Sequence, residues 1–255
     1  MPLRHAPRQV VPPLPRRPAQ KLRYAGRLKL KPDADLLFVC LRSWRGSDDE
    51  ELPVFYPDDA SEFSGNLLSV CDPSLFVKPD MEIGCFFGTR EQDAIPGLIH
   101  VAEKVAANIG LDRSRIVYWA ASAAALGAAM AAVKSGATAV LVNPHLDGRF
   151  GNSRLEVDVA EAFGAPSGEI AREYPMRSSV PRALQAARAL GLAPMLLLVQ
   201  NELDRAFYLR HFKPFCRHFN VPWAGVSIRR GRSCRWSTPT QVDTDVNQWR
   251  SDTRL

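Results

Sequence analysis

Ser122 stands alone among small residues, in Ala120-Ala121-Ser122-Ala123-Ala124, where an apolar, aromatic run gives way to an alanine-rich one. A serine in a strand-to-helix turn can take a strained backbone conformation that presents its hydroxyl as a nucleophile, provided its neighbours are small. The dipole of the following helix and the backbone N–H of Ala123 would then face an oxyanion above it. The same serine reads equally well as the N-cap of a tightly packed helix. Asp204 heads another helix-like run and offers either the acid behind a general base or a plain helix cap. Two imidazoles fall in related places. His145 follows the run Thr138–Val142, and His211 lies seven residues beyond Asp204, about two helical turns along the same face. Each also reads as a structural histidine. No histidine follows His218.

Continuous apolar runs at 35–41, 67–71, 81–87, 115–119, 138–142, 195–200 and 223–228 predict buried strands. Between them, apolar residues at 95, 98, 99, 102, 105, 106 and 109 predict a helix that stops at Gly110. Further helices are predicted over 123–134, 180–190 and 204–219, with a more polar insert over 146–178. Apolar strands alternating with helices describe an α/β protein with a mostly parallel, doubly wound sheet. In such sheets function collects at the carboxyl ends of the strands. Polar residues cluster there: Ser43 and Trp44 after the first strand, Asp72 after the second, Ser122 after the fourth. Asn143 and His145 follow the fifth, Asn201 and Asp204 the sixth. Trp44, with Arg42 and Arg45, could line a sugar pocket or simply cover the sheet edge.

The chain has 255 residues, 46% hydrophobic and 24% charged, which excludes a mainly disordered chain, a collagen and a disulfide-rich miniprotein. Its +6 charge is not spread evenly. Residues 1–30 hold eight Lys or Arg and no acid, and residues 229–255 hold six Arg against three Asp, leaving 31–228 at −5. A basic groove for nucleic acid is therefore not expected. Three segments follow: a basic, proline-rich tail over 1–30 without regular structure, one domain over 31–228, and an irregular basic tail over 229–255. The first tail lacks the apolar stretch of a signal peptide, and its charge suits weak contact with an anionic membrane surface. Ile116–Val133 is uncharged for eighteen residues, but its alanines and strand-like start argue against a transmembrane segment. Five cysteines without a C-x-x-C pair point to reduced thiols and a cytoplasmic setting. Neither metal-ligand spacing nor a phosphate-binding glycine motif is present, so no metal and no cofactor is expected. The acidic run Asp48–Glu51 reads as a solvated loop.

Taken in order, Asp72-Pro-Ser-Leu75, Ile83-Gly-Cys-Phe-Phe-Gly-Thr89, Val117-Tyr-Trp-Ala-Ala-Ser-Ala-Ala-Ala-Leu-Gly-Ala128, Val142-Asn-Pro-His145 and Val199-Gln-Asn-Glu-Leu-Asp204 carry a resemblance. Over residues 35–228 the chain resembles an α/β-hydrolase-like family found with bacterial capsule and surface-polysaccharide biosynthesis proteins. The resemblance implies a serine hydrolase or acyltransferase acting on an ester or acylated glycan, a small-molecule or glycan substrate being its partner. Ser122 would be the nucleophile, Asp204 the acid, and Ala123 and Ser43 the oxyanion donors. Asp72, Trp44, Asn143 and Asn201 would meet substrate. The family pattern departs in two places. Alanines replace the elbow glycines, and the loop after the last strand, where such folds normally carry the base, has no histidine; His145 and His211 are the substitutes. A non-catalytic binding or assembly component of polysaccharide synthesis is the other expectation. The abrupt change of composition after Ser227 also fits a frame disruption that replaced a strand–loop–His ending, and one clean reading frame on resequencing would refute that.

Overall fold

Six strands build one sheet: β1 (Gly26–Lys29), β2 (Leu37–Arg42), β3 (Asn66–Cys71), β4 (Ile116–Ala121), β5 (Thr138–Val142) and β6 (Met195–Val199), in the order β1-β3-β2-β4-β5-β6. β1 runs antiparallel to β3 and every other neighbouring pair is parallel. The computed structural model describes residues 21–45, 51–56, 63–78, 80–148, 153–165 and 167–221. The helices are α1 (Ala94–Asn108), α2 (Ala124–Ser135), α3 (Ser153–Phe163), α4 (Ser167–Glu173), α5 (Pro175–Ser178) and α6 (Val180–Ala189). α1 and α6 both pack on α2, which lies across β2, β4, β5 and β6 on one face of the sheet, while Tyr56 and Phe63 pack on Phe38 and Trp119 on the other. After β6 come α7 (Arg205–Phe207), a π-helical turn at Tyr208–Phe212 and α8 (Lys213–Phe219). β2 and β3 are buried along most of their length, which is why they read as unbroken apolar runs. β6, at the edge of the described sheet, leaves Met195, Leu197 and Val199 exposed.

α2 is the central helix. Every residue from Ala124 to Val133 is buried, and its alanines let it approach the sheet closely. At Gly127 a Cβ would stand 2.7 Å from the Cβ of Phe86, so only glycine admits that ring. The uncharged stretch from Ile116 to Val133 is thus divided between β4 and α2, and among the described residues no helix is long and apolar enough to cross a membrane.

Four expectations change. Met81–Phe87 is not a strand: Cys85 and Phe86 take φ of 52° and 57°, which turns the chain. The segment is apolar because Met81 and Cys85–Phe87 are buried, not because it pairs in the sheet. β1 lies inside the span read as a tail. The Tyr24 hydroxyl donates to the Ala94 carbonyl at 2.8 Å, and the Leu22 N–H donates to Gln92 Oε1 at 3.0 Å. An exposed edge strand carries no apolar pattern, which hid it. The helix predicted over 204–219 is broken by the π turn. The polar insert carries α3, α4 and α5. The strand predicted at 223–228, residues 1–20, 229–255 and Asp48–Glu50 lie outside the described residues.

Candidate active site

β4 ends at Ala121 and α2 begins at Ala124, leaving Ser122 in the turn with φ of 55°. A non-glycine residue in the left-handed region costs on the order of 1–3 kcal/mol. Three backbone hydrogen bonds hold it there: the Ser122 N–H donates to Val142 O at 2.9 Å, and its carbonyl accepts from His145 N–H at 3.1 Å and Ala125 N–H at 3.2 Å. The side chain is exposed, and its hydroxyl makes no hydrogen bond among the described residues. Ala123, not Ser122, occupies the N-cap position of α2, and no side chain caps that end. The cap reading of Ser122 is therefore set aside, and the start of α2 is left open above the serine.

β2 and β4 are parallel neighbours with Cys40 opposite Trp119. β2 ends at Arg42 and β4 at Ala121, so Ser43 and Ser122 each stand just beyond the carboxyl end of one of these neighbouring strands. Ser43 is 2% exposed, and its hydroxyl finds no partner among the described residues. Its carbonyl accepts from Gly84 N–H at 3.1 Å, and Arg45 N–H donates to Glu82 O at 2.9 Å. The loop Glu82–Gly88 thus braces the chain after β2. Two buried carboxylates hold that loop in turn. Asp158 Oδ2 accepts from the N–H groups of Glu82 and Ile83 at 3.0 and 2.9 Å. Asp72 accepts from Phe86 N–H at 2.6 Å and Ser74 N–H at 2.8 Å, while Ser74 Oγ accepts from Gly88 N–H at 2.9 Å. A Cβ on Gly84 would lie 2.6 Å from Asp72 Oδ2. Burial pushes the Asp72 carboxyl up to about 7, against the lowering effect of the Phe86 and Ser74 hydrogen bonds. Expected to meet substrate, Asp72 is wholly enclosed and anchors the loop beneath Ser43. Trp44, by contrast, is 53% exposed. Arg42 is spent on structure, donating to the carbonyls of Trp44 and Phe55.

His145 and His211 are both buried. The His145 ring stacks on Phe207 at 4.7 Å and 19°, and its centroid is 4.7 Å from that of His211. Burial pushes His145 down to about 3, with His211 adding to the effect. Burial likewise pushes His211 down to about 4, Asp147 pulling it up and Arg210 down. Both imidazoles are neutral at neutral pH, the form that accepts a proton. The carboxylate acting on His211 is Asp147, a residue in an irregular loop with no motif to single it out in the sequence. Asp204 caps α7, accepting from Phe207 N–H at 3.4 Å. Asn143, with φ of 43°, accepts from Asn201 N–H at 2.8 Å through Oδ1, and Asn201 Oδ1 accepts from Leu203 N–H at 2.9 Å. These two side chains tie the ends of β5 and β6 together. Ser43, Ser122, Asn143 and His145 therefore gather at the carboxyl ends of adjacent strands, but neither imidazole bonds to the Ser122 hydroxyl. Among the described residues, no three His, Cys, Asp or Glu side chains gather as a metal site.

No protein-family model matches the chain, and no curated protein does. Among solved structures it is similar to the capsule O-acetyltransferase of Neisseria meningitidis serogroup A, with a TM-score of 0.57, 12% identity, and 77% of this chain covering 78% of that one. It is similar to dipeptidyl peptidase 4 of Porphyromonas gingivalis, with a TM-score of 0.53 and 19% identity over 77% of this chain and 28% of that one. The Glycosylation Associate Protein (Gap123) complex from Streptococcus agalactiae matches with a TM-score of 0.48 and 10% identity, over 77% of this chain and 47% of that one. The chain thus spans less than half the length of that protein and about a quarter of the peptidase. With its mostly parallel sheet, the helices packed on it and a serine in the turn between β4 and α2, this chain has the α/β-hydrolase-like fold.

Proposed function

We propose that this protein is a serine esterase or acyltransferase acting on an acylated glycan in surface-polysaccharide biosynthesis. The observation that carries the reading is Ser122 itself: exposed, held at φ of 55°, and set against the uncapped start of α2. Strain of this kind persists where function requires it. The likeness of fold to the capsule O-acetyltransferase of Neisseria meningitidis supports the glycan side of the reading.

In this mechanism Ser122 Oγ attacks the carbonyl carbon of the ester and its proton passes to an imidazole nitrogen of the His145–His211 pair. The carbonyl oxygen takes the negative charge against the Ala123 N–H, with Ser43 on the facing strand end. Collapse breaks the bond to the leaving alkoxide, which takes the proton back from the imidazole and departs as the alcohol. Water, or a sugar hydroxyl in the transferase case, then releases the acyl group from Ser122 by the reverse sequence. Trp44 offers an exposed ring on which a sugar can stack.

The second reading is a binding or assembly component without turnover. It is favoured by the absence of any hydrogen bond between the Ser122 hydroxyl and either imidazole, and by the enclosure of His145 against Phe207. A fluorophosphonate probe separates the two. Labelling of the full chain that disappears in Ser122→Ala supports the enzyme; folded protein that takes up no probe supports the binder.

A further inference from the structure

A cavity of about 710 Å³ opens beside His211, between the loop after β5, the start of α6 and the face formed by the π turn and α8. Its volume is that of a small-molecule site. Leu146, Pro181, Pro214 and Phe215 supply apolar wall, and the polar lining is mostly cationic or neutral: Arg182, Arg210, His211, His218, Gln185 and Ser179, with Asp147 as its carboxylate. Asp147 is engaged in the wall, accepting from the Ser179 hydroxyl at 3.4 Å and acting on His211. Gln185 and His218 are also joined to each other, at 3.0 Å.

Arg182 differs from the other arginines of this region. Arg177 donates to Thr89 O and pairs with Asp93, and Arg188 lies over the Phe219 ring. Arg182 has neither hydrogen bond nor ion pair among the described residues, although it lines the cavity. A planar fork of donors beside a second guanidinium and an apolar wall is suited to an oxyanion carried on a compact ring. None of the mechanism's steps uses it.

We infer that this cavity binds the anionic group of a sugar-sized ligand, with Arg182 as its principal contact and Arg210 in support. That the ring is a sugar rests on the proposed function; that the group is an anion does not. His211 lines the cavity and its ring lies 4.7 Å from that of His145, whose backbone N–H donates to the Ser122 carbonyl, so an anionic substituent bound here would lie on the imidazole side of the serine.

The test is isothermal titration of full-length protein carrying Ser122→Ala, so that binding is read without turnover. The probes are glucose 1-phosphate, glucuronate, inorganic phosphate and glucose. The expected result is saturable binding of glucose 1-phosphate or glucuronate near about 1 mM, whichever is tighter naming phosphate or carboxylate as the group. Arg182→Ala is expected to weaken it about tenfold, Arg188→Ala to leave it unchanged, and added salt to weaken it. Equal binding by glucose, unchanged affinity in Arg182→Ala, or no saturation by any anionic probe would each overturn the assignment. Inorganic phosphate binding as tightly as glucose 1-phosphate would overturn its sugar part. A serine silent toward fluorophosphonate leaves these outcomes untouched, so the two readings fail separately.

Discussion

The backbone N–H of His145 donates to the carbonyl of Ser122 at 3.1 Å, tying the loop after β5 to the turn after β4. With the Ser122 N–H bonded to Val142, the strained turn is clamped on both sides by one neighbouring segment. The clamp holds the serine in its left-handed conformation and brings an imidazole-bearing loop beside it. Three predictions about the site and one about the helix beneath it follow from such clamps.

Ser122→Gly should raise stability while abolishing fluorophosphonate labelling. Glycine adopts φ of 55° without steric cost but loses more chain entropy, so the net gain is about 1 kcal/mol or less. Urea denaturation of the two proteins checks it. A glycine variant less stable than wild type would mean that Ser122 is not strained.

Asp72→Ala leaves the N–H groups of Phe86 and Ser74 buried without an acceptor, at about 1–3 kcal/mol each. The Glu82–Gly88 loop should then loosen, and with it the chain around Ser43. Labelling of Ser122 should slow as well, measured at a temperature where the variant is still folded. Loss of stability with an unchanged labelling rate would cut the link between this loop and the oxyanion side of the site.

Stability should peak near neutral pH for reasons that oppose one another. His145 and His211 titrate at about 3 and about 4 when folded and at 6.5 otherwise, so the unfolded chain takes up their protons first. Their contribution is complete above pH 6.5 and is lost as pH falls toward 4 and 3. Asp72 titrates at about 7 when folded and at 3.8 otherwise, so the folded chain holds its proton longer and its contribution is lost as pH rises through 7. Two histidines outweigh one aspartate between about pH 4 and 6.5. Denaturation midpoints should therefore climb over that window and level or fall just above it. His145→Gln should flatten the climb; a wild-type protein with no acid-side slope contradicts the burial of both rings as neutral species.

Gly127→Ala should destabilise by about 1–3 kcal/mol, since its methyl would meet Phe86 and neither α2 nor the loop has room to yield. Thermal melting measures it. Gly110→Ala is a poor control because that glycine has φ of 76°, so the reference should be an exposed alanine substitution on α6 such as Arg182→Ala.

Much of the architecture was legible in the sequence because the parallel strands are apolar on both faces, one packed under α1, α2 and α6 and the other holding Phe38, Trp119 and their neighbours. β2 to β5 were visible for that reason, β6 is apolar as well although Met195, Leu197 and Val199 are exposed, and α1 announced its end through Gly110. Met81–Phe87 misled for the same reason: burial against α2 gives the same apolar pattern as burial within a sheet, and the left-handed pair Cys85–Phe86 leaves no mark in residue type. β1 escaped notice because an exposed edge strand needs no apolar face. At the site, small neighbours marked Ser122 correctly as a turn residue between strand and helix. Asp147 and Asp158 were invisible, since what sets a buried carboxylate apart is the backbone it meets, and spacing does not encode that. Asn143 and Asn201 illustrate the converse, polar residues at strand ends whose oxygens serve the backbone.

The π-helical turn at Tyr208–Phe212 has a consequence for the chain on either side of it. An α-helix turns 100° per residue, so a turn that takes in one surplus residue shifts the phase of everything beyond it. Before the turn, Phe207 is aligned on His145; after it, Phe215 and Cys216 are aligned on the core. A regular helix could satisfy one alignment or the other. The wide turn works as a vernier between them, and deleting a single residue from it would force the segment to give up either its grip on the imidazole or its seat in the core.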